Sequence, residues 1–184
     1  MNDRDIVLAS LPEPTGEARA QAKKTNAKSV PTDDLWTCFV ERLAELGGEV
    51  KRLEDLAEFR DRVVCDYDVP ADVRRDLGIP QDDPWLAEVG VTLADMAVAE
   101  TGSVLISAGN GRRRLASLAP PIHAVLVKSG SIVASLDECI LNLPEPNSVL
   151  ITGPSKTADI EGVMVMGAHG PKRLWIIRLP DPEF

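Results

Sequence analysis

Nowhere in the 184 residues is there an apolar run near the ~20 positions that a membrane-spanning helix requires. The amino-terminal stretch also lacks the charged start, apolar block and small-residue cleavage site of a secretory signal. Both absences lead to the expectation of a soluble, cytoplasmic protein. Basic residues are in the minority, 20 Lys and Arg against 29 Asp and Glu, for a net charge of −9. That balance argues against a nucleic-acid role, because phosphate binding needs concentrated Lys and Arg. The only slightly basic part is residues 1–31, at +1, and the rest carries −10. The three cysteines, Cys38, Cys65 and Cys139, form no C-x-x-C pair, which argues against a zinc or iron–sulfur site within this chain. Each sits among apolar neighbours and reads as a small core residue. Absent too are the G-x-S-x-G elbow, the G-x-x-x-x-G-K-[ST] phosphate loop and the G-x-G-x-x-G dinucleotide turn. No cofactor is assigned.

What is present is ordinary globular material, 44% hydrophobic and 27% charged, of a length that suits one domain. Residues 1–31 read as an arm without an apolar stripe, either flexible or ordered by packing on a partner subunit in a homo-oligomer. Residues 32–184 read as one α/β domain. Thr32 or Asp33 can cap a helix that carries Leu35, Phe39, Leu43 and Leu46 on one side and stops at Gly47–Gly48. Strands follow at about 49–53, 62–66 and up to 91, with helices at 54–59 and 72–77 between them. A helix is expected over Leu93–Glu100, opened by a Thr92/Asp95 capping pair. Further strands fall at 103–108, 122–128, 148–152 and 173–179. Ser135 and Glu138 have capping-box spacing for a helix toward Leu143, and a short helix is expected after the 148–152 strand. Continuous apolar strands alternating with helices indicate a largely parallel sheet with helices on both faces.

Three segments carry chemistry. In the first, an apolar strand runs into Gly153-Pro-Ser-Lys-Thr-Ala-Asp-Ile-Glu161. Ligands of parallel α/β sheets bind beyond the carboxyl ends of strands. A helix starting near Ser155 or Thr157 would aim free N–H groups at a small-molecule anion, with Lys156 adding charge. The same residues also read as plain helix caps. Asp159 and Glu161 would repel an anion, and would instead accept hydrogen bonds from ligand hydroxyls or sit over a divalent cation. The second segment is Gly167-Ala-His-Gly-Pro171, where Gly167 and Gly170 permit close backbone approach and His169 is an acid/base candidate. Its bland alternative is a loop histidine bonded to backbone. In the third, Leu93, Met96, Ala97 and Glu100 share one helical face, so Glu100 would end an apolar stripe at a helix C-terminus. Both effects would raise its pKa, unless Glu100 leans to solvent or pairs with Arg114. His123 in an apolar strand reads first as a satisfied core residue. Arg112, Arg113 and Arg114 form a basic turn able to bind a carboxylate or phosphate, or simply solvated.

Taken together, Gly-Pro-Ser-x-Thr-x-Asp-Ile-Glu (153–161), Gly-x-His-Gly-Pro (167–171) and the upstream Ala-Glu-Thr-Gly (99–102) resemble the LUD-domain family. Within it they resemble the lactate utilisation protein C branch. Gly90–Thr92, Arg114, Leu118–His123 and Phe39–Leu53 also look like that branch, and the likeness spans roughly residues 35–180. It implies a Rossmann-like fold similar to the sugar-phosphate isomerase and CoA-transferase superfamily. It further implies involvement in oxidation of L-lactate to pyruvate alongside iron–sulfur partner proteins, which would hold the clusters that this chain has no ligands for. The resulting site has Glu100 and His169 as acid/base candidates. Thr101, Arg114, Gly153, Pro154, Ser155, Thr157, Asp159, Glu161 and Gly170 are its ligand-binding candidates. Two alternatives stand beside it. One is a stand-alone CoA-thioester or nucleotide-dependent transferase or ligase, and the other is a non-catalytic assembly or regulatory factor.

Overall fold

A computed structural model describes residues 34–78, 80–108, 114–144, 147–158, 164–167 and 169–180. The arm at 1–31 lies outside them. Helix α1 (Leu35–Glu45) is capped by Asp34, whose side chain accepts the Thr37 N–H; the cap falls one residue beyond the expected Thr32 or Asp33. Its end is a Schellman motif. Gly47 takes φ +86°, its N–H bonds to the Ala44 carbonyl, and the Gly48 N–H bonds to the Leu43 carbonyl.

Five strands form the central sheet: β1 (Glu49–Lys51), β2 (Val63–Cys65), β3 (Val89–Leu93), β6 (Ile122–Lys128) and β11 (Arg173–Leu179). Their order is β1-β11-β6-β3-β2 and every pairing is parallel. The chain therefore crosses from one edge of the sheet to the other between β1 and β2. Val, Ile and Leu dominate these strands because both faces are covered. One face buries Val89, Val91, Leu126 and Ile177 beneath the 3-10 helix Leu53–Phe59 and helix α2 (Ala71–Asp76). The other buries Val125, Val127, Leu174 and Ile176 against Phe39 and Leu43 of α1.

That second face is also covered by another sheet. Strands β4 (Met96–Val98), β5 (Ser103–Ser107), β7 (Ile132–Val133) and β8 (Ser148–Ile151) assemble in the order β7-β4-β5-β8. Ala97, Ala99, Val104 and Ile106 face the central sheet, while Val98 and Leu105 turn outward to Cys139 of helix α3 (Leu136–Leu141). The helix expected over 93–100 is thus a strand and a turn. Ala97, Val98 and Ala99 are buried on both sides, so they satisfy a period of 3.6 and a period of 2 alike. The adjacent antiparallel partner β5 decides between them. Gly102, at φ +64°, shapes the hairpin, and an added Cβ there would lie 2.4 Å from the Leu43 nitrogen.

The Ser135 cap behaves as its spacing suggests. Its Oγ accepts the Glu138 N–H, and the Glu138 carboxylate accepts the Ala134 N–H. The helix expected after Thr152 is instead a hairpin of β9 (Lys156–Ala158) and β10 (Met164–Met166). Cys139 is buried, and Cys38 and Cys65 are partly so; burial pushes the Cys65 thiol up to about 11. Among the described residues, no helix is long and apolar enough to cross a membrane.

Candidate functional site

The loops that follow β8 and precede β11 are stitched together by their backbones. The Ser155 N–H donates to the Pro171 carbonyl, and the Gly167 N–H donates to the Ser155 carbonyl, both at 2.9 Å. The Lys172 N–H reaches the Pro121 carbonyl at 2.8 Å, which ties the second loop to the entry of β6. Gly170 keeps this seam close, since an added Cβ would stand a tight 3.3 Å from the Ser155 Cβ. Gly167, at φ +75°, turns the chain into it.

Between these loops lies a cleft of about 230 Å³. Gly153, Pro154 and Ser155 form one wall and His169, Gly170 and Pro171 the other, with Ser117, Leu118, Leu150, Ile151, His123 and Leu174 completing it. No Asp, Glu, Lys or Arg lines it among the described residues. Leu118 and Leu150 are partly exposed at its mouth, and His169 is exposed. A second depression of about 200 Å³, between the 3-10 helix and α2, is lined by Glu54, Asp76 and apolar residues. None of the segments singled out in the sequence reaches it.

The cleft opens at the amino ends of the parallel strands, not at the carboxyl ends expected. His123 and Leu174 are the second residues of β6 and β11 and lie opposite each other in register. The Gly153 loop does follow the carboxyl end of a strand, but that strand is β8, which pairs antiparallel with β5 in the second sheet. The site is therefore the open end of the space between two sheets. Because β9 rather than a helix follows the loop, there is no row of helix N-terminal amides at Ser155 or Thr157 for an anion.

His123 and Ser117 are buried polar groups of the cleft, 1% and 4% exposed. The His123 Nε2 lies 2.9 Å from the Thr92 Oγ1 on the neighbouring strand. Burial lowers its pKa to about 3, so the imidazole is uncharged at neutral pH. Gly90 pairs with His123 across β3 and β6. A Cβ at Gly90 would come within 1.7 Å of the Ala116 carbonyl oxygen. Its absence lets the 3-10 turn Arg114–Ser117 settle on β3 and bring Ser117 to the cleft. The Ser117 hydroxyl donates to the Arg114 carbonyl at 2.8 Å.

The other expected site residues are distributed differently. The Glu100 side chain turns away to α3, where Oε2 accepts the Leu136 N–H at 3.1 Å. It faces the start of a helix, not the helix C-terminus expected. Thr101 Oγ1 donates to Ser103 Oγ at 2.9 Å, and Ser103 Oγ lies 2.8 Å from Thr152 Oγ1. That row of hydroxyls connects the β4–β5 turn to the residue before Gly153. Neither Glu100 nor Thr101 lines the cleft. Arg114 is exposed in the turn beside it. Lys156 donates to the Leu46 carbonyl at the end of α1, 2.7 Å away. Thr157 lies in β9, and Asp159, Glu161, Arg112 and Arg113 lie outside the described residues. Ser117, Leu150 and Leu174 carried no sequence signal of a site, since each belongs to an ordinary apolar or capping context. His123 had only the signal of a polar residue within an apolar strand.

Comparison with known proteins follows the same segments. Lactate utilization protein C of Geobacillus sp. (strain WCH70) is 34% identical over 104 residues, which are 52% of this chain and 43% of that protein. The protein of the same name from Bacillus subtilis (strain 168) gives the same identity and coverage. An uncharacterized protein of Neisseria meningitidis serogroup B, NMB1437, is 33% identical over 112 residues, 54% of this chain and 48% of that one. The matches thus span less than half the length of these curated relatives. In three dimensions, the crystal structure of a DUF162 family protein from Deinococcus radiodurans superposes with a TM-score of 0.58 at 19% identity. It covers 81% of this chain and 98% of that one, a likeness of fold. The LUD domain model matches residues 83–179, more than half of the sequence and the part that builds the cleft, and the chain belongs to the LUD domain family.

Proposed function

We propose that the chain is a ligand-binding or accessory subunit of a lactate-utilisation system, acting in oxidation of L-lactate to pyruvate together with iron–sulfur partner proteins in the cytoplasm. The observation that carries the reading is the closure of the 153–155 and 167–171 loops over one cleft within the LUD domain segment. Support also comes from the relatives named for lactate utilisation. The parallel five-stranded sheet supports a Rossmann-like, CoA-transferase-like description of the scaffold. In this reading Ser155, Gly170 and His169 contact the ligand. Asp159 and Glu161 are the nearest acidic residues in sequence to the first loop. Arg114 acts from the flanking turn, while Glu100 and Thr101 support the fold beside it through Leu136 and Ser103.

The test is a thermal-shift series with lactate, pyruvate, NAD, CoA and ATP on the wild-type protein and on Gly170→Ala, which narrows the cleft at Ser155. A ligand at ~100 times its dissociation constant adds about 2.7 kcal/mol of stability. Lactate or pyruvate should raise the melting temperature of the wild type and lose that effect in the variant. Stabilisation by CoA or ATP alone would turn the reading toward a transferase or ligase. Silence across the series would favour an assembly factor.

A further inference from the structure

The buried polar pair on β3 and β6 defines what the cleft floor can offer a ligand. Thr92 is 1% exposed, and its Oγ1 makes a hydrogen bond to His123 Nε2 and to no other group among the described residues. A hydroxyl carries one donor proton and two acceptor lone pairs, and a buried donor left unused is costlier than an unused lone pair. If Nε2–H donated to Thr92, the Thr92 proton would have no acceptor among the described residues. If Thr92 donates to Nε2, the ring proton sits on Nδ1, where the cleft that His123 lines can supply the acceptor, and this second arrangement is the favoured one. In a neutral imidazole the other nitrogen then carries the proton. His123 lines the cleft, and Nδ1 is the ring nitrogen not engaged by Thr92.

We infer that His123 is held as the Nδ1–H tautomer and presents an uncharged hydrogen-bond donor to the cleft, which receives the carbonyl oxygen of a small ligand with an otherwise apolar buried end. This rests on the ligand-binding reading of the cleft given above. The remaining lining argues for a carbonyl rather than a carboxylate at that point. Leu118, Leu150, Ile151, Leu174, Pro154 and Pro171 surround it, and no Lys or Arg is among the described lining residues. An unpaired carboxylate against such walls loses far more hydration energy than one neutral donor returns, whereas a carbonyl oxygen is satisfied by it. A volume of about 230 Å³ limits the buried part to a small molecule. A charged end would face the open mouth.

The decisive experiment needs no ligand. Nitrogen-15 NMR of the histidine-labelled wild-type protein at neutral pH separates a protonated Nδ1 from a protonated Nε2. A protonated Nδ1 with a bare Nε2 is expected for His123. An Nε2–H tautomer or an imidazolium would overturn the inference and leave the cleft reading standing. The ligand half is tested with two probes, pyruvate and propionate, which share a carboxylate and differ in the 2-oxo oxygen. Pyruvate should move His123 Nδ1 together with the Ser155 and Gly170 amides, and propionate should bind roughly fivefold to tenfold more weakly without moving Nδ1. Equal movement of Nδ1 by both would assign the acceptor to the carboxylate and overturn the carbonyl assignment. If neither probe moves any cleft resonance, the cleft reading and the ligand half fall together. His123→Asn, whose amide nitrogen mimics Nδ1, should keep pyruvate binding. His123→Gln, which mimics Nε2, should lose it by the same factor, and the opposite pattern overturns the inference.

Discussion

Lys156 donates from Nζ to the carbonyl oxygen of Leu46, 2.7 Å away, and so fastens the strand after the Gly153 loop to the end of α1. Gly153 completes the join at φ +89°, where an added Cβ would lie 3.1 Å from the same Leu46 oxygen. The one cation of the Gly153–Glu161 segment is thereby engaged in capping a helix. Lys156→Met should cost about 0.3–1 kcal/mol of stability in urea unfolding, the usual scale for a cation at a helix C-terminus. Lys156→Arg should restore most of it. A loss of ligand affinity much larger than the loss of stability would show that the ammonium serves the ligand instead.

Gly90 bears on whether the cleft has a floor at all. With a Cβ directed to within 1.7 Å of the Ala116 carbonyl, Gly90→Ala must displace either β3 or the Arg114–Ser117 turn. Overpacking of this kind typically costs about 1–3 kcal/mol. Gly130→Ala is the matched control, because nothing lies within 4 Å of a Cβ built there; it should be neutral or slightly stabilising. Melting temperatures of the two variants check the contrast.

Glu100 holds the first amide of α3 rather than a ligand. Glu100→Gln keeps the acceptor oxygen but removes its charge, and should cost about 1 kcal/mol or less in thermal unfolding. Probe binding in the cleft should be unchanged, since Glu100 does not line it. Abolished binding in a folded Glu100→Gln protein would contradict this placement.

The buried imidazole makes stability depend on pH with a definite sign. His123 titrates at about 3 in the folded chain against an ordinary 6.5, because burial penalises the charged form. Below pH 6.5 the unfolded chain takes up a proton that the folded chain refuses. Stability is therefore full well above 6.5 and falls as pH drops toward 3, by about 1.4 kcal/mol per pH unit once below 6.5. At pH 5, above the range where carboxylates titrate, the loss relative to the high-pH plateau should reach roughly 2 kcal/mol. Asp34 and Glu49, held below their ordinary values chiefly by hydrogen bonds from Thr37 and Lys51, add their own losses only at lower pH. Urea unfolding at stepped pH should show the slope, and His123→Asn should flatten it.

Local signals were legible in the sequence wherever a residue's neighbours along the chain decide its state. The Gly47–Gly48 stop, the Ser135 cap and the apolar strands at 122–128 and 173–179 follow from dihedral freedom, side-chain capping and burial of both sheet faces. The Gly153 and Gly167 segments stood out as loops for the same reason. Tertiary structure alone decided the rest. Residues 96–98 were free to be helix or strand until β5 offered them hydrogen bonds. Glu100 was drawn to α3, and Lys156 to α1, by partners 36 and 110 positions away. The cleft lies at the amino ends of β6 and β11 because the chain lays a second sheet over the first, and strand order across two sheets is a property of long-range pairing. Sequence spacing encodes which residues sit on one face of one element; which faces meet is set by the packing of elements far apart along the chain.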